Sequence, residues 1–373
     1  MKLNKIIIGI ISLLIMSIII IAEEPSDFIE NINGYVRMGY QENDHKHTNI
    51  ALGGKVHIKT SSWNNFSVGT SIYTSDALIS HKGASISFFD ASNHSYTILG
   101  EAYIEGKWGN TSIKIGRQSI ETPFADSDDI GMIPNTFEAA VLINHDLKDT
   151  TIFLGQLQKY AGVDSNTPSN FTQLNKNKGV QVLGLSYNGI KNIFLSAWLY
   201  RLKDNVTIAY FDASYKQEND LFMMAFNVQY SQQKYEDNRE SIVYGAESIF
   251  DFKPLGLSAS IAYNTVNGVA AENFFGGGPY FTNAQHHTLT DALNDGESFL
   301  YGFTWNATHM GIDTLSFTTH IHSFMHENKK SKEYDFTVNY RYTDTLNFAA
   351  IYSDIEDATE PFSTMRIFVN YMF

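Results

Sequence analysis

The stretch Ile115-Gly116-Arg117-Gln118-Ser119-Ile120-Glu121-Thr122-Pro123-Phe124-Ala125-Asp126-Ser127-Asp128-Asp129-Ile130-Gly131-Met132-Ile133-Pro134-Asn135-Thr136-Phe137-Glu138 joins two alternating segments, 111–118 and 136–144, through an acidic loop. Pro123 and Pro134 stand near its two ends, and their fixed φ limits the paths the loop can take. A loop tethered in this way reads as a constriction carried between two strands; the alternative is an ordinary surface hairpin loop. The segments on either side decide which architecture holds it.

Period two dominates from Ile32 onward, in segments of about ten residues, the length a tilted membrane strand needs. Ile50, Leu52, Val56 and Ile58 share one face, and Lys55, His57 and Lys59 the other. Phe222, Met224, Phe226, Val228 and Tyr230 alternate with Ala225, Asn227, Gln229 and Ser231, and Tyr334, Phe336, Val338, Tyr340 and Tyr342 with Asp335, Thr337, Asn339 and Arg341. A soluble sandwich alternates too, so connection lengths carry the decision. Strands are expected near 32–40, 49–60, 66–75, 96–107, 111–118, 136–144, 150–159, 179–187, 192–202, 206–216, 221–231, 241–250, 256–264, 298–308, 314–324, 333–342, 346–355 and 364–373. Every second connection is short, as at Trp108-Gly109-Asn110 and Thr343-Asp344-Thr345, whereas the intervening ones include 76–95, 119–135, 160–178 and 265–297. Short turns at one end and long loops at the other predict an all-β fold, a transmembrane antiparallel β-barrel of about eighteen strands with short periplasmic turns and long extracellular loops.

Composition agrees. Aromatic residues make up 14% of the 373 residues while mean hydropathy is only -0.20, so the rings are interspersed among polar residues. No Pro/Gly/Ser-rich linker divides the chain after about residue 30, which predicts one large domain. With Cys 0, thiol chemistry, disulfides and cysteine-based metal sites are excluded, and a net charge of -14 argues against a nucleic-acid partner. Lys2 and Lys5 precede an apolar run from Ile6 to Ile21, ending at Ala22 before Glu23-Glu24-Pro25. Residues 1–22 therefore read as a signal peptide and 23–373 as the mature barrel, with a retained anchor as the alternative. No later stretch reaches the twenty or so apolar residues of a spanning helix, so membrane residence would require a closed barrel. Ile367, Val369, Tyr371 and Phe373 alternate outward on the last strand, and Phe373 with Tyr371 is the expected signal to the barrel assembly machinery.

Parity also assigns a pore lining. Closing the barrel brings Arg366, Arg37 and the set Lys55, His57, Lys59 onto adjacent strands, and Lys114 and Arg341 share the inward parity, giving a basic wall. Glu101, Glu105 and Glu138 are expected inward as an acidic wall, while Glu121, Asp126, Asp128 and Asp129 make the loop acidic. Such an arrangement selects among ions and zwitterions; the alternative is that these charges only hydrate a wide lumen and pair with one another.

Gly116, Gln118, Thr122, Pro123, Pro134 and Thr136 frame the acidic loop in a pattern that resembles the OprD-like family of substrate-specific outer-membrane porins. The resemblance implies a monomer-sized barrel of eighteen strands in a bacterial outer membrane, with the third loop folded inward to narrow the pore. Asn273-Phe274-Phe275-Gly276-Gly277-Gly278-Pro279-Tyr280-Phe281-Thr282 is similar to the long seventh loop of such porins, which also bends toward the pore; its glycines give it freedom to fold back. It is not a phosphate loop, since no Lys-Ser/Thr follows it.

The expected activity is passive, charge-selective diffusion of small hydrophilic solutes such as amino acids, short peptides or small carboxylates, without a cofactor. Outer-membrane lipids and lipopolysaccharide are the expected surroundings, and a monomer and a trimer both remain open. The rivals are an adhesin or receptor acting through long loops and a barrel hydrolase, for which Ser119 is the nearest nucleophile, with no histidine in its loop. His45 and His47, His286 and His287, and His320, His322 and His326 invite a metal reading, but only His320 and His322 share a face at strand spacing; solvated loop histidines and no metal are expected.

Overall fold

In most strands the alternation of the sequence separates apolar side chains, turned outward, from small and polar ones turned inward, while on the strands of 136–218 apolar residues such as Phe137, Val182, Tyr200 and Ile208 are buried on the inner face as well. The computed structural model describes residues 28–44, 47–81, 88–165, 167–312, 314–327, 329–356 and 361–373. The proposed signal peptide 1–22, Glu23 and His45 lie outside the described residues. The strands are β1 (Ile29–Asn43), β2 (His47–Thr60), β3 (Phe66–Ile79), β4 (Tyr96–Trp108), β5 (Thr111–Gln118), β6 (Thr136–Asn144), β7 (Thr150–Ala161), β8 (Thr172–Gln173), β9 (Val180–Ile190) and β10 (Ile193–Leu202). They continue with β11 (Val206–Glu218), β12 (Phe222–Tyr235), β13 (Glu240–Phe252), β14 (Leu257–Gly268), β15 (Glu297–Asn306), β16 (Leu315–His326), β17 (Lys329–Arg341), β18 (Leu346–Glu356) and β19 (Phe362–Met372).

Each strand pairs antiparallel with its sequence neighbour, and β1 pairs with β19 from Tyr35↔Met372 to Asn43↔Thr364, closing the sheet. The two-residue β8 only extends the pairing of β7 beyond the start of β9, so eighteen strands form the wall. Closure leaves no row of unpaired backbone groups, the condition a sheet must meet in hydrocarbon. Every range expected from the alternation coincides with a strand, and among the described residues no helix is long and apolar enough to cross a membrane. The usual distribution of a soluble protein is inverted: Ile115 is 59% exposed on the outer face, whereas Asn264 on the inner face is wholly buried.

The long connections lie at one end. They are L2 (80–95), L3 (119–135), L4 (162–179) and L7 (269–296), against turns as short as the one between β4 and β5 at the other end.

Among the described residues, register shifts occur in five of the strand pairs, and two of them lie beside residues of the expected acidic wall. Between β3 and β4, Ser71 pairs with Glu101 and Ile72 with Leu99, so Gly100 is skipped; Tyr96 and Ile98 above it, and Glu101, Tyr103 and Glu105 below it, all turn inward. Between β6 and β7, Glu138 pairs with Lys159 and Ala139 with Leu157, skipping Gln158. The alternation of β6 itself corrects the placement of Glu138. Phe137, Ala139 and Val141 are the inward, buried residues of β6, and Glu138 turns to the outer face beside Arg117 and Lys159, whose nitrogens lie 3.7 and 2.8 Å from its carboxylate.

At the seam, Gly34 N–H donates to the Phe373 carbonyl (2.9 Å) and Phe373 N–H to the Gly34 carbonyl (3.1 Å). Deleting Phe373 removes both bonds from the strand pair that closes the barrel. It is expected to lower the amount of folded protein in the outer membrane, read by heat-modifiable migration of membrane fractions; unchanged levels would remove any assembly role for this residue.

Candidate functional site

The barrel interior is organised by L3. Gln118 fixes its first end, with Nε2 donating to the carbonyls of Ala139 (3.1 Å), Lys114 (3.3 Å) and Gly116 (3.3 Å). A tight turn follows in which Thr122 Oγ1 donates to the Ala125 carbonyl (2.9 Å), and it presents Phe124 beside Pro123. Phe124 is fully buried, with ring centroids 5.4 Å from Tyr200, 5.8 Å from Tyr210, 5.9 Å from Phe274 and 6.0 Å from Tyr280, all close to perpendicular. Edge-to-face packing of this kind adds to the burial of each ring. Phe124 therefore joins L3 to the inner faces of β10 and β11 and to L7.

L7 meets L3 along the backbone. Asp126 N–H donates to the Phe275 carbonyl (3.3 Å) and Phe275 N–H to the Phe124 carbonyl (3.2 Å), a parallel bridge, and Gly277 N–H donates to Asp126 Oδ1 (3.2 Å). L7 is itself held to the wall. Tyr280 Oη accepts from Gln233 Nε2 (2.8 Å), and the backbone N–H groups of His286 and His287 donate to the two oxygens of Glu333 (2.9 and 2.7 Å).

The far end of L3 is held by the first and last strands. Arg37 donates to both Asp129 oxygens (2.6 and 2.8 Å) and to the Gly131 carbonyl (2.6 Å), while Arg366 donates to the Ile130 carbonyl (3.0 Å) and to Gln285 of L7. Bidentate guanidinium–carboxylate geometry fixes position as well as charge. Met132 packs over Gly39, where a Cβ would run into its sulfur and the ring of Phe88; glycine is what leaves room for the loop.

A third contact is acidic. Asn135, wholly buried, donates from Nδ2 to the Asp126 carbonyl (3.2 Å) and to Asp164 Oδ2 of L4 (2.5 Å), and its Oδ1 accepts from Asp164 N–H (3.1 Å). Burial pushes the Asp126 carboxyl up to about 6. Burial, then the charges of Asp164 and Asp126, pushes Asp128 up to about 8, and burial raises Asp164 as well. The Asp128–Asp164 pair thus holds on to a shared proton to higher pH than an ordinary carboxyl does.

The remaining predicted residues separate into distinct environments. Lys55 donates to Glu101 (2.9 Å), which Tyr73 Oη also reaches (2.7 Å). Lys59 lies between Glu30 (3.2 Å) and Glu105 (3.4 Å). Lys114 Nζ sits 4.5 Å from the centroid of Tyr103, and among the described residues no carboxylate lies within ion-pairing distance of it. Arg341 is exposed at the short-turn end, and Arg366 is on the inner wall but only 1% exposed beneath L3 and L7. Glu121, Glu105 and Lys114 line a cavity of about 420 Å³ whose other side is Phe153 and Trp198. His287 and His322 are buried at 7% and 1% exposure, against the expectation of solvated loop histidines, since L7 packs onto β16 and β17. Among the described residues no group of His, Asp and Glu is arranged to hold a metal ion.

Three residues central to this arrangement are absent from the sequence-based set: Phe124, Asn135 and Asp164. Phe124 had a signal, an aromatic directly after Pro123 in an otherwise acidic loop. Asn135 and Asp164 had none, because their roles arise only when L4 meets L3.

A closed antiparallel barrel of eighteen strands, with an inverted polarity pattern and loops docked on its inner face, defines a transmembrane β-barrel. The family model described as outer membrane porin, OprD family, matches residues 89–344, and the chain belongs to that family. It is accordingly an outer-membrane protein of the Gram-negative porin class. No curated protein sequence matches it. Among solved structures it is similar to OccK9 (OpdG) of Pseudomonas aeruginosa, with TM-score 0.82 and 18% identity over 94% of this chain and 100% of that one. It is also similar to OpdK of Pseudomonas aeruginosa with vanillate (0.80; 15%; 93% and 99%) and to a BenF-like porin from Pseudomonas fluorescens Pf-5 (0.79; 16%; 93% and 99%).

Proposed function

We propose that the protein is a passive, charge-selective channel for small hydrophilic solutes, narrowed by L3 and L7, and that amino acids, short peptides or small carboxylates are what it passes. The observation that carries this reading is the span of L3, which touches β10 and β11 through Phe124 and β1 and β19 through Asp129 to Gly131. A segment in contact with both sides of the wall leaves a reduced passage, bounded by the acidic loop and by Lys55, Lys59 and Lys114. In a narrow space with low-dielectric walls such charges act on a permeant ion with little screening. Vanillate, named with one structural relative, is a carboxylate and falls within the proposed class. Residues 1–22 are proposed to be removed on export.

Planar-bilayer recording tests the reading. Discrete steps of conductance with a reversal potential displaced from zero under a salt gradient are expected. Absence of steps from correctly folded protein would refute the channel, and a reversal potential at zero would refute its charge preference.

A further inference from the structure

The outer wall carries a feature that the channel reading does not use. At the long-loop end, the register aligns Ala140, Gln156, Gln181 and Arg201 in one row across β6, β7, β9 and β10, and continues to Thr207 of β11 and Lys234 of β12. One row further toward the short-turn end the same strands present Leu142, Leu154, Leu183 and Leu199. Ala140 is small among these neighbours, and a groove of about 630 Å³ opens there, floored by these leucines and Ile113 and topped by Gln156, Gln181 and Arg201. Its position fits a lipid chain beneath a headgroup.

Charge identifies the headgroup. Arg201 and Lys234 are exposed, flank Thr207, and among the described residues have no side-chain hydrogen bond or ion pair. The nearby acids have contacts of their own: Asp204 contacts Lys178, and Glu240, directly opposite Lys234 in the register, accepts from Gln232 Nε2 (2.6 Å). A second outward groove, near Met224, Phe226, Phe250 and Ile261, has no charged residue in its lining and lies toward the short-turn end. Of these two grooves, the one at the long-loop end is the one that cations crown.

We infer that this groove is a binding site for a phosphorylated glycolipid of the outer leaflet, lipopolysaccharide, with a phosphate between Arg201 and Lys234 and one acyl chain along Leu154, Leu183 and Leu199. Two cations near an anionic lipid surface each contribute about a factor of five to its retention, and the guanidinium adds bidentate contact with phosphate.

The test uses the full-length protein extracted from outer membranes in mild detergent, with retained lipopolysaccharide counted by native mass spectrometry. Arg201→Gln with Lys234→Gln is expected to reduce retention roughly tenfold or more, and Ala140→Trp, which fills the groove without altering charge, to reduce it independently. Wild-type retention by the double variant overturns the site; so does displacement of the bound lipid by phosphatidylglycerol at equal concentration. If the double variant does not fold, Ala140→Trp decides in the same way. Bilayer conductance of the same preparations is expected to be unchanged, so failure of the channel reading and failure of the lipid site are separately visible.

Discussion

Removing Ser127 to Gly131 is expected to raise single-channel conductance by roughly two- to fivefold, since flow through a short aqueous neck follows its open cross-section. The deleted segment includes Asp129, Ile130 and Gly131, the three residues that Arg37 and Arg366 hold against the wall. Without it the Phe124 end of L3 still docks on Tyr200, Tyr210 and Tyr280, but the Arg37 and Arg366 clamps to β1 and β19 are gone and what is left there is Met132, packed over Gly39. The barrel itself is expected to survive, because its strand pairs do not pass through L3. Heat-modifiable migration identical to wild type, together with larger conductance steps, would fit this account; unchanged conductance would mean that the passage runs elsewhere than past this segment.

A quieter change separates loop docking from charge. Arg37→Gln removes a cation but also the bidentate clamp on Asp129, so its conductance is expected to move with the deletion and its selectivity cannot be read as charge alone. For this reason Arg37 is a poor probe of the basic wall, although its parity places it there, and Arg366, buried under both loops, is poorer still.

How far the sequence reveals this molecule depends on the range of the interactions involved. Strand alternation and turn spacing are local, and all eighteen wall strands follow from them, as does the adjacency of Arg366, Arg37 and Lys55 once closure is assumed. Face assignments hold where the apolar set of a strand faces lipid and fail on β6, whose apolar set, Phe137, Ala139 and Val141, turns inward against L3. Glu101 and Glu105 are inward as parity requires, whereas Glu138 faces out in register with Arg117. No local pattern marks this inversion, because what covers the inner face of β6, Ile120, Phe124 and Ala125 of L3, arrives by tertiary packing. Loop docking is less legible still. Pro123 and Pro134 signal that the loop is constrained, but its partners, Tyr280, Gly277 and Asp164, come from other loops. Burial of His322 and Glu333 is hidden for the same reason: an inward polar residue on a barrel strand reads as water-facing until a loop covers it.

Those loop contacts alter which charges the passage feels, and with them the expected selectivity. A unit charge about 6 Å from a permeant ion, in an effective dielectric of about 20, acts with roughly 3 kcal/mol before salt screening, so single residues in a neck are enough to shift reversal potentials. Glu121 bears an exposed carboxylate of L3 that no ion pair among the described residues holds, and Glu121→Gln is expected to shift permeability toward anions. Lys55→Gln leaves Glu101 without its cation and is expected to shift it toward cations. The two changes must have opposite signs. Asp128 behaves differently because burial and the neighbouring Asp164 raise it to about 8. A carboxyl raised in the folded state favours the docked loop most at low pH; that contribution declines as pH climbs from the ordinary carboxylate range and is gone above about 8. Between pH 6 and 9, therefore, Asp128 gains charge, the passage becomes more cation-selective, and the L3–L4 contact through Asp164 weakens, so conductance rises. Asp128→Asn keeps the hydrogen bond to Asp164 and removes the Asp128 titration, so its reversal potential at pH 6 is expected to match wild type and its rise between pH 7 and 9, above the range in which Asp126 titrates, to be absent. A wild-type channel whose selectivity and conductance are flat from pH 6 to 9 would show that Asp128 and Asp164 lie outside the ion path.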